Sequence, residues 1–168
     1  MNITLEYLTE ENSPQVREIQ RDDVSEDFVD SVDTICGIHR YGLEHRCIGH
    51  TYVIRCDGTA IGILLLGEAL AWDTDPEEMK AQPFYRLMGF VIDKRYRSMG
   101  IGSEVLDEAI ADCYRDFGVR PIALGVHRDN HRAAAFYLRN GFEKREAMEG
   151  NDFYYIRYPK PQAPCSIQ

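Results

Sequence analysis

The alternation of apolar and polar positions divides the chain into eleven predicted elements. Residues 3–8 alternate well enough for a first strand. Ser13-Pro14 is a helix start, with an N-cap followed by Pro at the first helical position, and predicts a short helix to about Gln20. Ser25 is a second N-cap, with Glu26 and Asp27 in the turn where the helix dipole favours anions. Phe28, Val29, Val32, Ile35 and Cys36 supply the apolar stripe of that second helix. Strands are predicted at 51–56 and 59–66, joined by Asp57-Gly58, a strong hairpin signal. An acid-rich loop covers 67–83, and a long apolar strand runs through 84–92.

The period then changes. Ile101, Val105, Leu106, Ala109, Ile110, Cys113 and Phe117 fall on one helical face, and Gly118 is expected to close that helix as a left-handed cap. A buried strand is expected at 122–126, a helix at 133–139 with its N-cap in Asp129-Asn130, and a last pair of strands at 142–146 and 153–158 around Gly150-Asn151. The order is β-α-α-β-β-β-α-β-α-β-β. A strand, helix, strand unit in the middle requires a parallel pair with a crossover, and the hairpins add antiparallel strands. The expected fold is α/β (α+β): a mixed, mostly antiparallel sheet of six to seven strands with a central parallel pair, flanked by about four helices. One domain is expected over 1–159, with a proline-bearing tail at 160–168.

Composition narrows the chemistry. The 168 residues are 44% hydrophobic, enough for one buried core, and no apolar run approaches a membrane span. Met1-Asn2-Ile3-Thr4-Leu5-Glu6 has no basic n-region or apolar h-region, so a cytoplasmic location is expected. Five cysteines without a CxxC pair argue against a disulfide framework or a zinc site, and no metal is expected. The net charge of −9 disfavours nucleic acid and anionic membranes as partners and suits a cationic small molecule.

The sharpest feature joins the 84–92 strand to the next helix: Arg97-Ser98-Met99-Gly100-Ile101-Gly102, then Ser103. Glycines here let the backbone approach a ligand, the free N–H groups of the helix start favour an anion, and Arg95 and Arg97 add positive charge. Taken alone, the same glycines also fit an ordinary tight turn. The loop is neither a Walker loop, lacking G-x-x-x-x-G-K, nor a Rossmann fingerprint, lacking the third glycine. A second segment reads Val126-His127-Arg128-Asp129-Asn130, Ala133 to Tyr137, and Asn140-Gly141-Phe142.

Together the two segments resemble the GNAT superfamily of acyl-CoA-dependent N-acetyltransferases, over nearly the whole order of elements. Arg97 to Gly102 matches its R/Q-x-x-G-x-G/A loop. The resemblance implies acetyl-CoA as cosubstrate, with the pyrophosphate on the amides of Met99 to Gly102 and the pantetheine arm along the backbone of Phe90, Val91 and Ile92. It implies a bulged central strand that splays from the 122–126 strand, Asn130 bonding the cofactor arm, and Phe136 packing near it. Tyr137 takes the position of the general acid that protonates the departing thiolate. It also implies direct attack by an amine and a homodimer.

For the general base, Glu68 at a strand end is the candidate, with His127 as another; a solvated loop carboxylate is the competing reading of Glu68. Met88 departs from relatives that carry an acid near this point. The likeness is greatest to bacterial spermine/spermidine acetyltransferases, through Phe90-Val91-Ile92-Asp93 with Arg95-Tyr96, the Asp57-Gly58 hairpin followed by Ile61-Gly62, and the acidic segment before the central strand. Acids recur at Asp22, Asp23, Glu26 and Asp27, in the loop before the central strand, and at Glu146, Glu149 and Asp152. Asp22 and Asp23 are taken as acceptor-binding, and Trp72 and Tyr85 as rings able to stack on an ammonium. The alternatives are another acceptor (a peptide N-terminus, an aminoglycoside or an amino acid) or an acyl-CoA sensor without catalysis.

Overall fold

A computed structural model describes residues 1–161; the predicted tail from 162 onward lies outside the described residues. Seven strands form one sheet: β1 (Ile3–Tyr7), β2 (Gly49–Cys56), β3 (Thr59–Glu68), β4 (Tyr85–Ile92), β5 (Ile122–His127), β6 (Glu143–Glu149) and β7 (Asp152–Arg157), in the order β1-β2-β3-β4-β5-β7-β6. Only β4 and β5 pair in parallel among the described strands, as the crossover through α4 (Ile101–Phe117) requires. The remaining helices are α1 (Ser13–Val16), α2 (Val32–Glu44), α3 (Glu77–Lys80) and α5 (His131–Arg139).

The uninterrupted apolar run of β3 follows from burial on both faces. Leu64 and Leu66 pack with Tyr52, Leu106, Ile110 and Cys113 beneath α4. Ile63 and Leu65, one step out of phase, pack with Val16, Val32, Ile35 and Val91 beneath α1 and α2.

Four local expectations change. The first helix is a single turn, Ser13–Val16, with Asn12 rather than Ser13 at its N-cap, and does not run to Gln20. The second helix starts at Val32, not after Ser25: Ser31 is the N-cap, accepting from Thr34 N. Residues 25–29 instead form a turn in which Phe28 and Val29 amides donate to Ser25 O. The Arg21 guanidinium takes the Val29 and Asp30 carbonyls at 2.7 Å each, so these carbonyls are not left for a helix. Gly118 closes α4 at a positive φ of +102°, as a glycine cap does, but its ψ of 163° is not that of the left-handed helix. The acid-rich loop is not open coil. It contains the one-turn helix α3, and Asp75, buried, grips Arg86 at 3.1 and 3.2 Å while accepting from Trp72 N and Tyr154 Oη. A buried charge of this kind persists only with such pairing.

The sheet opens at its centre. β4 and β5 pair only at Tyr85↔Ile122 and Arg86↔Ala123, then diverge. On its other edge, β4 carries an extra residue: Met88 opposes Leu65 and Val91 opposes Ile63, so three steps of β4 face two of β3. Gly89 sits in this bulge at φ +63°, and a Cβ there would lie 2.3 Å from Ile35 Cγ1. Only glycine meets both demands.

Candidate active site

The divergence of β4 and β5 makes the site. It leaves the backbone of 87–92 unpaired on the β5 side, and Gly89 and Phe90 without a ladder partner in β3. Backbone groups of this kind need a partner, and an extended ligand arm laid along β4 supplies one. A cavity of about 560 Å³ follows, lined by Phe90 to Ile92, the loop from Arg97, the first turn of α4, and Asn130 to Tyr137.

The anion end of this cavity is built from backbone and arginine. Ser98 (φ +63°) and Gly100 (φ +78°) turn the chain sharply into α4. Gly100 is the N-cap and has no side chain to occupy the first-turn N–H groups, which remain for an anion. Arg97 Nε donates to Ile92 O at 2.7 Å and Nη1 pairs with Asp23, while Nη2 is buried with no acceptor among the described residues. That orphaned donor fits a phosphate oxygen. Arg95 does not contribute; it is consumed by Asp93, which accepts from Arg95 N, Nε and Nη2 and from Gln20 N. Instead, α5 brings Arg132 and Arg139 to the cavity wall, and Arg132 donates to Ser98 Oγ at 3.1 Å. The sequence signal for them was their seven-residue spacing on one face of α5. Met99 is exposed on the loop.

Asn130 caps α5 through Oδ1, which accepts from Ala133 N at 3.2 Å, and this leaves its Nδ2 for a ligand. Phe136 meets Phe90 edge-on across the cavity, ring centres 5.9 Å apart. Tyr137 is buried between Phe136 and Phe142, and burial pushes its hydroxyl pKa up, so it holds its proton at neutral pH. Among the described residues nothing hydrogen-bonds its hydroxyl.

Tyr137 also lines a second, smaller cleft of about 240 Å³ between β4 and β5, contiguous with the first through Phe28, Val29, Phe90 and Asn130. Five carboxylates line it: Glu26, Asp27 and Asp30 from the loop before α2, and Glu149 and Asp152 from the turn between β6 and β7. Arg86 is the basic residue of its wall, and its charge is answered by Asp75.

Several residues singled out in the sequence fall elsewhere. Glu68 does not line the cleft. It faces a third cavity, beneath α2, and its carboxylate accepts from Ile48 N at 2.8 Å. Asp22 pairs with Lys94 and Asp23 with Arg97, so both tie the first loop to the anion-binding segment rather than reach the cleft. Tyr85 is fully buried and its hydroxyl donates to Gly118 O at 2.7 Å, which leaves no face for an ammonium. Trp72 does line the cleft, but Arg86 already lies over its ring at 3.6 Å. His127 accepts from Asp129 N through Nδ1 and packs against Phe28.

No helix among the described residues is long and apolar enough to cross a membrane. The fold is shared with solved acetyltransferases. The PaiA N-acetyltransferase of Thermoplasma acidophilum in complex with coenzyme A superposes with a TM-score of 0.70 at 20% identity, over 95% of this chain and 100% of that one. The aminoglycoside acetyltransferase AAC(6')-Ib in complex with coenzyme A gives 0.71 at 19% identity, over 94% and 95%. A chain of the NatC complex bound to Gag peptide and CoA gives 0.67 at 20%, over 95% and 100%. Residues 13–142 match the Acetyltransferase (GNAT) family, a span that contains both the Arg97 loop and Tyr137. The chain belongs to the GNAT family and is an acetyl-CoA-dependent N-acetyltransferase.

Proposed function

We propose that the acceptor is a polycationic amine, such as the polyamines spermidine and spermine. The observation that carries this reading is the five-carboxylate lining of the cleft beside Tyr137. Carboxylates facing one another across a narrow cleft attract a ligand with several ammonium groups, and their mutual repulsion is relieved when it binds.

Acetyl-CoA brings the acetyl group already activated as a thioester. The unpaired amides of β4 hold its arm and polarise the carbonyl, Arg97 Nη2 and the first turn of α4 hold its pyrophosphate, and Asn130 Nδ2 and Phe136 fix the arm against the sheet. Tyr137 gives a proton to the leaving sulfur. The burial that keeps the phenol protonated also raises the proton affinity of a thiolate formed beside it.

The test is thiol release from acetyl-CoA with spermidine and spermine, beside monoamines, peptides and aminoglycosides. Saturable release with the polyamines, with a KM that climbs as salt is added, supports the reading. Preferential release with a monoamine or a peptide, or a salt-independent KM, replaces it.

A further inference from the structure

We propose that Asp152 is the catalytic base that takes the proton from the acceptor ammonium. The inference rests on reading the acidic cleft as the acceptor site.

Geometry distinguishes Asp152 from the other carboxylates of the cleft. It opens β7, opposite His127 in the ladder with β5, and folds its side chain back over Gly125. A Cβ at position 125 would lie 3.1 Å from Asp152 Oδ2, so the missing side chain makes the space that the carboxylate occupies. Asp152 is half-buried, whereas Glu26, Asp27, Asp30 and Glu149 are exposed. Among the described residues none donates a hydrogen bond to its carboxylate and none forms a salt bridge with it. Its counterparts elsewhere are occupied: Asp75 by Arg86, Asp93 by Arg95, Glu68 by Ile48 N. Among the described residues, the one unbonded, half-buried carboxylate of the cleft therefore stands in the same space as the hydroxyl of Tyr137, which is also unbonded; Tyr154, the other buried phenol of the lining, donates to Asp75.

The electrostatics agree. Burial raises the Asp152 carboxyl above the ordinary range, His127 on β5 opposes this, and Glu149 on β6 and Asp30 on the facing loop add to it. Glu26 and Asp27 face it across the cleft. A raised carboxyl is a stronger base than a solvated one and is better matched to an ammonium.

The proton count closes. Asp152 accepts one proton from the ammonium and releases it to solvent. The neutral amine forms the C–N bond as the C–S bond breaks. Tyr137 gives its proton to sulfur, and the second proton leaving nitrogen restores the phenol. An ammonium and a thioester become an amide, a thiol and one proton in solution.

The test is Asp152→Asn, measured on whichever amine the wild-type enzyme turns over best, so failure of the polyamine reading leaves it intact. The expected result is a kcat loss of about 100-fold near neutral pH. The loss should shrink as pH rises toward about 10, where the amine sheds its own proton. Acetyl-CoA affinity by calorimetry should be unchanged. A rise in acceptor KM with wild-type kcat and pH profile would make Asp152 a binding residue and overturn the proposal, as would unaltered kinetics. Should Asp152→Asn fail to fold, Gly125→Ala, on an exposed position of β5, presses on the carboxylate from 3.1 Å and should give a smaller kcat loss that is likewise recovered at alkaline pH. Wild-type kinetics in that variant would count against the assignment.

Discussion

Arg97 and Asp23 form an ion pair beside the cavity of about 560 Å³, and the pair uses only one of the two terminal nitrogens of the guanidinium. Asp23 thus aims the arginine while leaving Nη2 to the ligand. Asp23, read from the sequence as a contact for the acceptor, lines the larger cavity and not the acidic cleft.

Replacing Arg97 with Met removes a charge-assisted contact, of about 1.5–3 kcal/mol, and should raise the KM for acetyl-CoA roughly ten- to a hundredfold. The kcat at saturating acetyl-CoA should stay near wild type. Steady-state kinetics with each substrate varied separates the two.

Tyr137→Phe keeps the ring contacts with Phe136 and Phe142 and deletes the hydroxyl alone. A kcat lowered by about 100-fold with unchanged acetyl-CoA affinity is expected. Unchanged turnover would remove the residue from the chemistry.

Gly89→Ala meets two obstacles, the clash with Ile35 and the positive φ. The substitution should destabilise the fold by about 2–3 kcal/mol in urea titrations. In an Ile35→Ala background the clash is relieved and the penalty should fall to the backbone cost of about 1 kcal/mol, a coupling that a double-mutant cycle measures.

Asp93 is fully buried and accepts four hydrogen bonds, foremost from Arg95, which hold its carboxyl far below the ordinary range despite burial. A carboxyl depressed in the folded state stabilises the fold above the unfolded pKa, and that contribution drains away as pH falls toward the folded value. Asp93→Asn should therefore cost about 3 kcal/mol near pH 7, and the gap to wild type should narrow below about pH 4. Urea unfolding across a pH series reads the trend.

The elements legible from the sequence were those whose pattern is local. The 3.6-residue stripe of α4, the Asp57-Gly58 hairpin and the Asn130 cap all appear where expected. The failures have non-local causes. Phe28 and Val29 fit a helical stripe, but Arg21 claims the carbonyls of residues 29 and 30, and the Phe28 and Val29 side chains serve the cavities. Glu68 sits at a strand end near the sheet centre, as a base might, but the amide of Ile48 on the neighbouring chain segment captures it. Tyr85 looks like any ring beside a cleft until its hydroxyl is found on Gly118 O. Asp152 was legible only as one acid among several in the last turn, because the glycine that its carboxylate folds over lies on another strand.

Between β4 and β5 the ladder has only two residue pairs, at Tyr85↔Ile122 and Arg86↔Ala123. Mechanically the sheet is two slabs, four strands on one side and three on the other, joined along a seam one rung longer than a point. Arg86 belongs to that seam, and the acid-rich loop clamps it through Asp75 and Leu70 O. Beyond the seam the slabs part, and in the proposed binding mode a pantetheine arm laid in the gap would act as a temporary eighth strand. The substrate would then complete the architecture that holds it, and each turnover would remove a piece of the sheet.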